Sequence, residues 1–186
     1  MYGSAGAGVK RPAYGPLSLR ARPSLTPYRF VTQLRTTATP DEVHGALLRP
    51  EAWATGWGEA VHIVRVAPGD DQGAGSVFEA AVRAPAGYAI AARVEIIEAT
   101  RPVRLVARLT GDLVGTGTWT FRGDEAGTVA RLDMTASTTR RWMNAAAPLS
   151  RPLFEWSHRI VMRHAARAAT DHLGADLLAF RSTPVR

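Results

Sequence analysis

Few residues of this sequence have both the type and the spacing for chemistry. His158 stands four positions after Phe154 and four before Met162, so all three share one stripe of a helix. Imidazole titrates near neutrality, which suits His158 to a polar anchor or an acid/base group. The plainer alternative is a core-edge histidine with a satisfied hydrogen bond. Asp112, next to Gly111, is a second candidate acid at a turn, where aspartate also serves ordinary turn chemistry. His164 and His172 are eight apart, about 12 Å along a helix, too far to share a zinc with ligand bonds of about 2 Å. No H-x-x-x-H pair occurs, and 0 Cys excludes disulfides, thiolate nucleophiles and Cys-ligated metals. No metal and no cofactor is expected. Gly73-Ala74-Gly75-Ser76-Val77 lacks the last glycine of a nucleophile elbow. Gly115-Thr116-Gly117 is not a phosphate loop, because strand residues follow it rather than a helix.

Large side chains are the other candidates. Trp53 and Trp57 lie four apart and form either an aromatic wall for a flat or hydrocarbon ligand or simple packing of short helices. Leu113, Gly115, Gly117, Trp119 and Phe121 alternate onto one strand face. Glycines there leave room, mark a bulge or bend, or do both. Arg93 and Glu95 oppose Ile90, Ala92, Val94 and Ile96, and the apolar set is the better inward face. An inward Arg93 would suit an acidic ligand.

These residues need elements to position them. Alternation with β-branched residues predicts a strand over Tyr28–Thr37. Thr39-Pro40-Asp41-Glu42 then reads as a helix start, with a capping threonine, a first-position proline and acids at the positive end. That helix runs to about Leu48, and Pro50 begins a second over Glu51–Ala54. Six strands follow, near Ala60–Ala67, Gly75–Arg83, Tyr88–Glu98, Val103–Leu109, Leu113–Arg122 and Thr128–Thr139. Short turn segments such as Pro68-Gly69-Asp70 and Gly123-Asp124 separate them. Such links permit hairpins but not parallel crossovers, so the sheet is an antiparallel meander. From Arg151 to Phe180 the apolar period is helical, giving a helix of about 45 Å. A sheet with one apolar face and one long helix to cover it is an α+β arrangement. One helix is too narrow to fill that face, so short helices, large side chains or a cavity take up the rest.

Of 186 residues, the first 26 carry four cations, no acid and seven Gly or Pro, and are expected to be a disordered or loosely docked basic tail. They lack the apolar run of a secretory signal. The net charge of +7 comes from 23 Lys and Arg against 16 acids; without the tail's four cations, 19 against 16 leaves +3. No basic cluster interleaved with aromatics appears, so nucleic acid is not an expected partner. No apolar run reaches the roughly 18 residues of a membrane span. A cysteine-free chain is compatible with a reducing cytoplasm, the expected location, as a monomer or homodimer.

Three segments carry a family resemblance: Gly111-Asp112-Leu113-Val114-Gly115-Thr116-Gly117-Thr118-Trp119, Thr139-Arg140-Arg141-Trp142-Met143-Asn144, and Arg151-Pro152-Leu153-Phe154-Glu155-Trp156-Ser157-His158. Together with the element order they resemble the START-like, or SRPBCC, superfamily, and within it a bacterial branch of polyketide cyclase/dehydrase family proteins. The resemblance covers about Tyr28 to Leu178. It implies a helix-grip fold over residues 27–181: a seven-stranded curved antiparallel sheet, two short helices after strand 1, and one long C-terminal helix over the concave face. It further implies a small hydrophobic or aromatic ligand, polyketide- or lipid-like, held in an internal cavity by a carrier or sensor. The alternative is a metal-free lyase or isomerase of the cyclase/dehydratase type using the same cavity. The ligand contacts expected on this basis are Trp53, Trp57, Phe78, Trp119, Met134, Trp142, Phe154 and Met162, with His158 and Asp112 as catalytic candidates.

Overall fold

The computed structural model describes residues 27–54, 56, 60–140, 143 and 147–185. The expected tail, Trp57 and Trp142 lie outside the described residues. The elements run β1 (Tyr28–Thr36), α1 (Pro40–Leu47), α2 (Pro50–Ala54), β2 (Val61–Pro68), β3 (Ser76–Arg83), β4 (Ala89–Thr100), β5 (Arg104–Gly111), β6 (Leu113–Asp124), β7 (Gly127–Thr138), α3 (Ala147–His172) and β8 (Leu177–Pro184). One antiparallel sheet holds all eight strands in the order β2-β3-β4-β5-β6-β7-β1-β8.

Local chemistry sets most boundaries. α1 begins with a capping box: the Glu42 N–H donates to Thr39 Oγ1 at 3.3 Å, and the Thr39 N–H donates to Glu42 Oε2 at 2.8 Å. β2 to β7 follow one another as hairpins, as the short turns require. Gly115 on β6 faces Ala136 on β7, and a Cβ there would overlap the Thr135 carbonyl oxygen. Glycine at this position thus lets the two backbones approach closely.

The expected helix to Phe180 and the seven-stranded sheet are both corrected. α3 stops at His172, and Gly174 adopts φ +64°, a left-handed value that ends a helix readily only with glycine. The Ala175 N–H closes the end by donating to the Thr170 carbonyl. Leu173, Leu177 and Leu178 continue the helical spacing, which is why the sequence reads as helix; beyond Gly174, Leu177 and Leu178 open β8 instead. β8 covers the edge that β1 would otherwise leave open. Its start is tied to β1 by Asp176 N–H to Thr37 Oγ1 at 2.9 Å, and inside the pair Thr32 and Ser182 share a buried hydrogen bond at 2.8 Å.

Two apolar clusters lie under α3. The larger gathers Leu34, Phe78, Ile96, Leu105, Phe121 and Ala166; the smaller gathers Tyr28, Phe30, Met143 and Phe154. α3 rests toward the β1–β8 side, with the His158 ring 3.9 Å from Phe30 and the Arg163 guanidinium 5.6 Å over Phe180.

The Thr32–Ser182 bond tests whether β8 is part of the fold's cooperative core. Ser182→Ala leaves a fully buried Thr32 hydroxyl unpaired, which is expected to cost about 1–3 kcal/mol in urea unfolding. Adding Thr32→Val should recover part of that loss. Strictly additive losses would show that the pair contributes nothing.

Candidate functional site

Because α3 leans toward β1 and β8, the opposite corner of the sheet is left uncovered. There an open cleft of about 860 Å³ lies between α2, the β2–β3 corner and the second half of α3. Val61, Val82, Ala84 and Pro85 form the sheet wall, Ile160, Val161 and Ala168 the helix wall, and Trp53 the side from α2. Five titratable side chains join them: Arg83 from β3, and His164, Arg167, Asp171 and His172 from α3. Nine of the 17 arginines among the described residues form ion pairs, and Arg83 and Arg167 are among the eight that do not.

Behind the cleft is a void of about 40 Å³, apolar on nearly every side, bounded by Leu34, Val43, Trp119, Met162 and Ala166. Trp53 borders both spaces. Its indole N–H donates to the Ala46 carbonyl at 2.9 Å, which fixes the ring as a partition.

At the other end of α3 is an aromatic nest. Phe154 packs 4.4 Å from Tyr28, and His158 lies nearly parallel to Phe30, 22° between planes. His158 is only partly buried as a residue, but its Nε2 atom is enclosed and has no hydrogen-bond partner among the described residues. Burial pushes its pKa down to about 4, so the imidazole is neutral at pH 7. Tyr88 packs against this nest. Burial pushes its phenol up, and the neighbouring Ser157 side chain acts in the opposite direction. On α1, His44 is fully buried, edge-on to Phe121, and burial lowers its pKa first, with Arg101 adding to the effect.

The residues expected from the sequence are therefore distributed over three places. Trp53 lines the cleft; Trp119 and Met162 line the void; Phe154, Met134 and His158 belong to the nest. Phe78 is buried in the main core beneath the Arg65 guanidinium. Asp112 braces the sheet end, accepting from the Ala91 N–H at 2.8 Å and from Arg140 at 2.6 Å. Arg93 faces outward and pairs with Glu79 at 3.1 Å. The helix wall at Ile160, Val161, His164, Arg167, Ala168 and Asp171 escapes a search for apolar stripes because half of it is polar; only its 3–4 spacing marks it. No group of three metal-binding side chains occurs among the described residues, and no described helix is long and apolar enough to cross a membrane.

No family model and no curated protein matches the chain. Solved structures do resemble it. The di-domain ARO/CYC protein BexL from the BE-7585A biosynthetic pathway aligns at 21% identity with a TM-score of 0.60, over 78% of this chain and 50% of that one. The chain thus spans about half the length of that di-domain protein. The protein TTHA0849 of Thermus thermophilus aligns at 19% identity and TM-score 0.60, over 75% of this chain and 96% of that one. Ara h 8.0201 aligns at 15% identity and TM-score 0.54, over 80% and 97%. The likeness is one of fold: an α+β arrangement of one large antiparallel sheet with a long helix near the C-terminus.

The lowered pKa of His158 has a measurable consequence. Between about pH 6.5 and pH 4 the unfolded chain binds a proton that the folded chain does not, so stability falls as pH drops through that window. His158→Phe keeps a flat ring on Phe30 and removes the titration. Its loss of stability from neutral pH to about pH 4 should be smaller than that of the wild type, by on the order of 3 kcal/mol. His44 contributes equally to both proteins. Identical losses in urea unfolding would rule out a buried neutral His158.

Proposed function

We propose that this helix-grip chain binds a small, largely apolar molecule, polyketide- or lipid-like, in the cleft between α3 and the β2–β3 corner, as a carrier or sensor. The observation behind this reading is the cleft itself, at about 860 Å³ within the range of small-molecule sites and mostly walled by Val, Ile, Ala, Pro and Trp side chains. The fold likeness to ARO/CYC proteins of two biosynthetic pathways agrees with it. Trp53 gives the ligand a rigid aromatic side, and the unpaired polar groups of the helix wall orient it.

A second reading, a cyclase or dehydratase, rests on one observation: the enclosed, unpartnered Nε2 of His158. A neutral imidazole takes a proton from a carbon between two carbonyls. The resulting carbanion attacks a third carbonyl of the same chain, the new alkoxide is protonated by the imidazolium, and loss of water follows. Asp112, already engaged by Ala91 and Arg140, enters this reading only as a group that holds the sheet end in place.

The binding reading is tested with Nile red, a neutral apolar dye. Val161→Trp places a large ring in the cleft from the helix wall and is expected to weaken Nile red binding at least about tenfold without changing the far-ultraviolet dichroism. Equal binding by both proteins would place the dye elsewhere and overturn the reading. The enzymatic reading requires that a poly-β-keto thioester lose water with the wild type and not with His158→Ala.

A further inference from the structure

We infer that the molecule held in the cleft is an amphiphile with a single anionic group, a carboxylate, taken by Arg83 and Arg167 from the two walls while its apolar body lies against Trp53, Val82, Ile160 and Val161. This rests on the reading of the cleft as a ligand site and adds the ligand's charge and polarity.

The argument starts from the pairing of arginines. On the outer sheet face, Arg93, Arg104 and Arg108 each meet a carboxylate on a neighbouring strand or along the adjoining turn, so guanidinium groups of this chain do take up acids placed beside them. Arg83 and Arg167 come from different elements and reach the same cleft, and neither has an acid within ion-pair distance among the described residues. Asp171 lines the same cleft one helical turn after Arg167, the spacing at which an acid and a base normally meet, and still the two do not pair. Both guanidinium groups therefore keep their forked donors for a ligand, and a carboxylate is the group that matches that fork. Asp171 bears on the number of charges: a second anionic group on the ligand would meet it. His164 and His172 complete the titratable groups of the cleft and offer ring nitrogens for hydrogen bonds. The rest of the lining is hydrocarbon or indole, which has no use for a polar ligand. A cation-bearing rim over an apolar body is complementary to a molecule of the opposite construction.

A pyrene-labelled dodecanoic acid and its methyl ester share one apolar body and differ in charge. Fluorescence titration of the wild type should give the acid an advantage of about tenfold, or about 1.4 kcal/mol, that shrinks as salt is added. In the Arg83→Gln/Arg167→Gln variant that advantage should fall to within about twofold. Arg29→Gln/Arg122→Gln, at exposed positions of β1 and β6 outside the cleft, removes the same two charges, should keep it and so controls for net charge. Equal affinity of the wild type for acid and ester, or an undiminished advantage in the double variant, overturns this inference and leaves the cleft reading standing. Binding of neither compound overturns both.

Discussion

A single α-helix is about 10 Å wide, and eight strands about 4.8 Å apart span roughly 34 Å. That mismatch is the constraint on which this molecule is arranged. The long helix must choose a part of the sheet, and it chooses the β1–β8 side, where Phe30 meets His158 and Phe180 meets Arg163. α1 and α2 fill the middle, with Trp53 as the last large side chain before open space. The cleft is what remains over β2 and β3. It follows from the widths of a helix and a sheet, and the side chains around it tune a space that geometry creates.

Much of this was legible in the amino-acid sequence. The hairpin meander follows from alternation broken by Gly, Pro and Asp, and the start of α1 from Thr39, Pro40 and Glu42. The inward set on β6, from Leu113 to Phe121, follows from a period of two. β8 was not legible, because Leu173, Leu177 and Leu178 keep a helical interval and only the backbone sign at Gly174 decides otherwise. The site was legible in part. Phe154, His158 and Met162 do point inward, but toward an aromatic nest and a small void. The wall that faces the cleft mixes Ile and Val with His, Arg and Asp, so its apolar signal is weak where its chemistry is richest.

The concave side thus contains two environments with opposite polar strategies. In the nest, burial holds His158 neutral, with its Nε2 lacking a hydrogen-bond partner among the described residues. In the cleft, the charged side chains of Arg83, Arg167 and Asp171 stand exposed at the rim. Trp53 and the void behind it belong to the structure between them.

The placement of β1 also bears on how the chain comes off the ribosome. β1 is made first, yet its neighbours in the sheet are β7 and β8, the last strands made; Tyr28 must wait for Ala136 and Phe30 for Pro184. At roughly 5–20 residues per second, the interval to β7 alone is about five to twenty seconds. During that time the apolar face of β1 has no strand to pair with, while β2 to β6 can already zip as hairpins. Synthesis therefore leaves the strand that closes the sheet as the one longest in need of shelter.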